Sequence, residues 1–279
     1  MLKDVLTPEL VERCRALLLA ANDDLRNHGR VGREGFYSRE MQNLGVGGAD
    51  NTKRLFDIIE LDDGPEVLGN ILARTDARLR PIVEAVLGAG SFLGSFQSLT
   101  LEPDGALGPV ERSAQLKESL HADYPFYSNE QALPAGVGSP FTIQTIWMIT
   151  DFTGENGGTP LLPGSHRLGR PPIPEATDRT DRGSAQGDDE RHLADWSRFD
   201  EGSVATEGSA GDLLVYLGQC WHAVSVNAAD EPRIGLLGQW LPFYFASMEA
   251  HMMTTPSEIK AALPDVAVDL LGLNHAHPM

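Results

Sequence analysis

The stretch Phe141-Thr142-Ile143-Gln144-Thr145-Ile146-Trp147-Met148-Ile149-Thr150-Asp151-Phe152 is a run of β-branched, aromatic and long apolar residues, a composition suited to a pleated, half-buried surface. It is followed by Asn156-Gly157 and then by a second run, Thr159-Pro160-Leu161-Leu162. An Asn-Gly pair supplies the positive φ that both central residues of a type I′ turn need, so Phe141 to Leu162 reads as one hairpin. Runs of the same texture recur outward from it at Ser91 to Glu102, Asp212 to Leu217, Trp221 to Val226 and Ile234 to Phe245, separated by Gly, Pro, Asn and Ser. Short strands punctuated in this way predict a β-sandwich or barrel over residues 91–245.

The chain before residue 91 has a different period. Thr7-Pro8-Glu9 followed by Leu10, Val11, Cys14, Leu17 and Leu18 combines a capping hydroxyl, a proline at the first helical position and an apolar stripe at 3.6-residue spacing. It predicts a helix from Pro8 to Asn27, stopped near Gly29. Leu55, Ile58, Ile59, then Val67, Leu68, Ile71, Leu72, then Ile82, Val83, Val86, Leu87 also recur at helical spacing, with Pro65 and Pro81 marking fresh helix starts. From Arg170 to Gly208 the periodicity is lost among acidic, Pro, Gly, Ser and Thr residues, which reads either as a solvated surface excursion or as a lid over a site. Residues 1–279 are expected to form one α+β domain: helical support over 1–90, a β core over 91–245 and a C-terminal extension over 246–279.

The 279 residues are 41% hydrophobic, enough for one substantial core. Acidic residues outnumber basic ones 40 to 22, a net charge of −18, and the only lysines are Lys3, Lys53, Lys117 and Lys260. That balance argues against nucleic acid or an anionic membrane as a partner, because counterion release from phosphates needs clustered positive charge. There is no spanning apolar run, and the beginning MLKDVLTPEL lacks the apolar region of a secretory signal; a soluble, cytoplasmic protein is expected, its oligomeric state open. Cys14 and Cys220 form no C-x-x-C pair and are read as free thiols.

Phosphate-loop, serine-elbow and H-E-x-x-H patterns are absent, and the glycines of Leu44 to Gly48 do not fit a dinucleotide fingerprint. What remains is His121-Ala122-Asp123, with His222 far downstream in a strand-like run. On an extended segment, residues two apart point to one side, so His121 and Asp123 can share a metal. Two imidazoles and one carboxylate on one face of an octahedron leave three positions open, the arrangement of non-haem Fe(II) oxygenases. Arg233 heads the next strand-like run, Ile234 to Gly238, after the turn Asn227 to Pro232, and its planar fork suits a carboxylate.

These residues are joined by further blocks: Ser119-Leu120-His121-Ala122-Asp123-Tyr124-Pro125; Ile146 to Phe152 leading to Glu155-Asn156-Gly157-Gly158-Thr159 and Leu162-Pro163-Gly164-Ser165-His166; and Gly211-Asp212-Leu213-Leu214 leading to Trp221-His222 and Pro232-Arg233. In this order they resemble the phytanoyl-CoA dioxygenase-like family of Fe(II)- and 2-oxoglutarate-dependent oxygenases. The resemblance is strongest from Phe92 to Phe245 and holds only in outline for the N-terminal helices. It implies a double-stranded β-helix (jelly-roll, cupin-like) core with N-terminal helices packed on one sheet.

Carried over, the resemblance implies that His121, Asp123 and His222 bind iron and that Arg233 holds the distal carboxylate of 2-oxoglutarate, with O2 as co-reactant. Trp147 falls where the family places an aromatic residue beside the cosubstrate, and an ordinary core tryptophan fits it equally. Gln97 and Thr159 are candidates for polar contacts to cosubstrate or substrate. His166 is read as part of a structural loop. The implied activity is hydroxylation of an unactivated C–H bond of a small metabolite, with release of succinate and CO2, and retention of Asp123 favours hydroxylation over halogenation. The chain's charge and lack of a lysine cluster point to a substrate without CoA, although Arg167 and Arg170 could meet an anion. The alternative is a non-catalytic sensor of metal and 2-oxoglutarate with the same fold.

Overall fold

A computed structural model describes residues 1–28, 52–105, 107–123, 140–173, 185–245 and 255–274. Helix α1 spans Pro8–His28, as the cap and stripe dictate. Strand β1, Thr52–Leu55, is a departure from the helical reading, since Leu55 belongs to a sheet edge. Helix α2 is Gly64–Leu87 and runs through Pro81 without restarting. Pro81 and Ala77, whose carbonyl loses its partner, both lie on the exposed face, where water can satisfy it; the buried stripe Leu68, Leu72, Leu79 and Val83 keeps the helix on the sheet.

Strand β2 is Phe92–Leu101 and helix α3 is Pro109–Glu118. Strands β3, Ile143–Met148, and β4, Pro160–Leu161, precede helix α4, Ala185–Gly202. Strands β5, Val204–Ala205, β6, Leu213–Leu217, and β7, Arg233–Leu241, complete the β core, and helices α5, Ser257–Ala262, and α6, Asp265–Leu270, follow. Among the described helices none is long and apolar enough to cross a membrane.

An antiparallel five-stranded sheet has the order β1-β2-β7-β3-β6. One face carries Phe96, Trp147, Leu213, Ile234, Leu236 and Trp240 into a core shared with Leu18 of α1, Leu68 and Leu72 of α2, and Val268 and Leu270 of α6. Helices therefore cover one side of the sheet. The other face looks toward a second layer, built from the β4–β5 pair and from bridges joining His121 to His222 and His222 to Leu161.

The expected hairpin from Phe141 to Leu162 does not form. β3 pairs with β6 and β7, whereas β4 pairs with β5 in the other layer. Asn156-Gly157 does make a tight turn: Thr153 N–H donates to Asn156 Oδ1 at 2.8 Å and Asn156 Nδ2 donates to the Asp151 carbonyl at 2.7 Å. Gly157 has φ +88°, and a Cβ there would meet Leu101 Cδ1 at 2.9 Å. The turn signal is real, but this turn carries the chain between layers. The run from Trp221 to Val226 likewise makes isolated bridges and not a full strand.

The segment expected to lack structure contains α4. Its buried residues His192, Asp195 and Phe199, with half-buried Trp196, recur at i, i+3, i+4 and i+7, one helical face. Trp196 and Phe199 pack on Leu120, Ala122, Leu162, Trp221 and Ala223. Arg170, considered as an anion contact, is committed here: its two Nη atoms donate to Asp195 at 2.6 and 2.7 Å, and its carbonyl accepts from Trp221 Nε1 at 2.9 Å. The helix is a buttress behind the second layer.

Candidate metal centre

The second layer is half-alternating. Leu120, Ala122, Trp221 and Ala223 point outward into the apolar cluster under α4, and the intervening His121, Asp123 and His222 point inward, as period-two alternation requires. Two backbone bonds hold the histidines opposite each other: His121 N–H to the His222 carbonyl and His222 N–H to the His121 carbonyl, both 2.9 Å. Asp123 N–H donates to the Gly218 carbonyl at 2.8 Å. Gly218 is packed against Thr142, and a Cβ at 218 would collide with Thr142 Oγ1.

The three candidate ligand atoms lie within 4.8 Å of one another. His121 Nε2 is 3.7 Å from Asp123 Oδ1 and His222 Nε2 is 3.4 Å from Asp123 Oδ2. The imidazole centroids are 4.1 Å apart. His121 Nδ1 lies 2.6 Å from the Ser119 carbonyl and His222 Nδ1 2.9 Å from the Cys220 carbonyl. A carbonyl can only accept, so each Nδ1 carries a proton and Nε2 is the nitrogen each ring turns toward the carboxylate. Burial, and next the neighbouring His222, push the His121 pKa down to about 4 against the pull of Asp123, so the imidazole is neutral at pH 7. Two imidazoles and one carboxylate, aimed at a common point and unable to bond one another well, fit a divalent cation.

Arg233 begins β7 on the inner face, paired with Leu101. It is 1% exposed, its guanidinium carbon lies 4.4 Å from the Phe152 ring centroid, and Nε and Nη1 have no hydrogen-bond partner among the described residues. Burial pulls its pKa down to about 9, which leaves it charged at neutral pH. A buried, charged and incompletely satisfied fork is suited to a carboxylate that the protein itself does not provide.

Trp147 is placed elsewhere. It pairs with Leu236 and Leu213 and stacks edge-on to Phe96 at 5.5 Å within the helix-side core, so its ring faces away from the histidines and the core-tryptophan reading holds. Thr159 is buried, and its carbonyl accepts from Thr206 N–H and Oγ1 at 3.0 and 2.8 Å. Gln97 is on the inner face, donating to Ser95 Oγ at 2.9 Å, with Oε1 left without a partner among the described residues. His166 Nδ1 lies 3.7 Å from Cys220 Sγ and outside the triad. Of the remaining histidines, His192 bonds the Ile173 carbonyl at 2.7 Å; His251, His275 and His277 lie outside the described residues.

Sequence reasoning missed Gln144, Gln239, Tyr216 and Arg54. Tyr216 stands edge-on to His222 at 5.3 Å, and Arg54 is close enough for its charge to act on His121. The signal available for the two glutamines was a polar residue interrupting an apolar strand.

The family model for phytanoyl-CoA dioxygenase (PhyH) matches residues 2–235, and the chain therefore belongs to the phytanoyl-CoA dioxygenase family, a family of oxygenase-type enzymes. It is 26% identical over 156 residues to the dioxygenase andF of Emericella variicolor, covering 56% of this chain and 46% of that one. To the dioxygenase cdmD of Talaromyces verruculosus it is 28% identical over 132 residues, 47% of this chain and 36% of the other. The chain thus spans about half or less of the length of these relatives. A solved structure of the epimerase SnoN, in complex with Fe3+, alpha ketoglutarate and nogalamycin RO, shares the fold with a TM-score of 0.50 and 20% identity, over 86% of this chain and 77% of that one.

Proposed function

We propose that this chain is an Fe(II)- and 2-oxoglutarate-dependent dioxygenase that hydroxylates an unactivated C–H bond of a small metabolite. The five-stranded sheet and the bridged second layer are, on this reading, the two sheets of a double-stranded β-helix. His121, Asp123 and His222 would hold the ferrous ion and Arg233 the distal carboxylate of 2-oxoglutarate. The observation that carries the reading is the convergence of the three ligand atoms within 4.8 Å on the side of the sheet that also buries the unsatisfied Arg233.

The iron, with 2-oxoglutarate and O2, supplies the oxidation: one oxygen atom goes to the substrate as hydroxyl, the other to succinate, and CO2 leaves. The chain's own residues position and insulate. The Ser119 and Cys220 carbonyls fix the tautomers of the two histidines, and the Asp123 carboxylate offsets part of the cation's charge. The apolar inner residues Leu99, Ile146, Val224 and Leu237 exclude water, which strengthens the pairing of Arg233 with a carboxylate. A carboxylate at position 123 occupies the place a halide would need, which supports hydroxylation over halogenation. SnoN, which shares the fold, is an epimerase, and a second reading has the substrate carbon inverted instead of oxygenated.

The test is anaerobic addition of Fe(II) and 2-oxoglutarate, followed by O2 and a succinate assay. A weak visible charge-transfer band that disappears in His222→Ala, and succinate formed after oxygen, are expected. Absence of the band at saturating metal and 2-oxoglutarate would refute the reading. A band without succinate across varied substrates would favour the non-catalytic sensor.

A further inference from the structure

The inner face of the five-stranded sheet changes character along the strands. At one end it is charged, with Arg233 beside Leu101, and in the middle it is apolar, with Leu237, Ile146 and Leu214. At the other end the register sets Ser95 opposite Gln239, Gln239 opposite Gln144, and Gln144 opposite Tyr216. Gln97 stands next to Ser95 on this face and bonds it. Gln97, Gln144 and Gln239 are only 8%, 8% and 7% exposed, and Gln97 Oε1 and Gln144 Nε2 have no hydrogen-bond partner among the described residues.

Leaving a buried amide atom unpaired costs a folded protein stability, so two such atoms in one row of glutamines call for an explanation. They belong to the metal side, since Tyr216, in register with Gln144, stacks against His222. They are also remote from Arg233. Gln97 is level with Leu237 and Ser95 with Gln239, roughly 13 and 20 Å from Arg233 at about 3.3 Å per residue. The side chains shorten these backbone separations, most of all for Gln97, so Gln144 and Gln239 are the members farthest from a five-carbon diacid anchored on Arg233.

Resting on the dioxygenase reading above, we propose that Gln97, Gln144 and Gln239 form the recognition edge for the primary substrate, which presents to them an uncharged group that both gives and takes hydrogen bonds, such as a hydroxyl or an amide. An amide side chain offers one donor end and one acceptor end, so either orientation of each glutamine meets such a group. A carboxylate or an ammonium would leave one end of every glutamine unsatisfied. Arg54, on β1 in register with Leu99, is the cation through which an acidic substrate would instead be held.

The test uses three probes on one frame, cyclohexanecarboxamide, cyclohexanecarboxylate and cyclohexylmethylammonium. Paramagnetic broadening of their proton NMR lines is read with protein loaded with Mn(II) and 2-oxoglutarate. The neutral amide is expected to be broadened at concentrations about tenfold lower than either ion, and Gln144→Met and Gln97→Met to weaken it by about tenfold, the equivalent of one hydrogen bond. 2-Oxoglutarate affinity stays unchanged in Gln144→Met. A second readout needs no ligand: in the metal-free protein Gln144→Met raises the melting temperature by about 2–5 °C, because a buried unpaired donor is removed.

Stronger binding of the carboxylate, loss of 2-oxoglutarate affinity in Gln144→Met, a lowered melting temperature, or no broadening of any probe would each overturn the proposal. Failure of the dioxygenase reading is seen separately, as wild-type protein that does not bind 2-oxoglutarate at all.

Discussion

Replacing Arg233 by methionine, which keeps the length of the stem and removes the charge, is expected to stabilise the ligand-free protein and disable it in the same stroke. The guanidinium is 1% exposed, and burial alone takes its pKa down to about 9. A fall of that size from the ordinary guanidinium value corresponds to roughly 4–5 kcal/mol of unfavourable burial. Stacking on Phe152 at 4.4 Å returns about 1–2 kcal/mol of it. Arg233→Met should therefore gain about 3 kcal/mol in the ligand-free state, a rise in melting temperature of roughly 6–12 °C.

With 2-oxoglutarate the sign reverses. Removing one member of a buried charge pair costs about 2–5 kcal/mol, a thirtyfold or greater loss of affinity. The assay is thermal unfolding of the Zn(II)-loaded wild type and variant, with and without 2-oxoglutarate. At about 100 times its dissociation constant the ligand should stabilise the wild type by about 2.7 kcal/mol and the variant by less than about 1 kcal/mol. A variant that is less stable without ligand, or that keeps the wild-type response, would refute the reasoning.

Three other perturbations probe the supports of the site. Phe199→Ala removes a fully buried ring from the cluster that backs Trp221 and Ala122; a loss of about 3–5 kcal/mol in urea unfolding is expected, with weaker Co(II) binding by calorimetry. Gly218→Ala forces a methyl to within 1.9 Å of Thr142 Oγ1 beside the carbonyl that holds Asp123 N–H; about 1–3 kcal/mol of destabilisation and reduced metal affinity should follow. Asp212 feels burial first, which raises its pKa, but hydrogen bonds from Lys3 and from the backbone of Asp4 and Ser209 outweigh it and leave the value lowered. Its contribution is therefore fully present above the unfolded carboxylate value of about 3.9 and is lost as pH falls through the lower folded value. Asp212→Asn should lower the urea midpoint at pH 7 and converge on the wild type in acid.

The triad was legible because its logic is local. His121 and Asp123 are two apart on extended chain, and His222 and Arg233 flank a turn into the next strand. Trp147 was ambiguous because β3 is buried on both faces; a continuous apolar run carries no alternation to say which side is which. The register with Leu236 and Leu213 decides it. Asn156-Gly157 signals a turn but not what the turn connects, and the pairing of β3 with β6 and β7 is a long-range property. α4 was hidden because two members of its buried face, His192 and Asp195, are polar and bonded to the Ile173 carbonyl and to Arg170, so the helical stripe could not be seen as hydrophobic.

The reciprocal backbone bonds between positions 121 and 222 involve no side-chain atoms, and so the spacing between the two imidazoles is a property of the scaffold. Any pair of residues placed there would inherit the same separation. Shape and reactivity are in this way written in different parts of the molecule: a descendant that exchanged either histidine would forfeit its ion yet keep its architecture, and a lineage of such chains can shed or reacquire chemistry without having to fold anew.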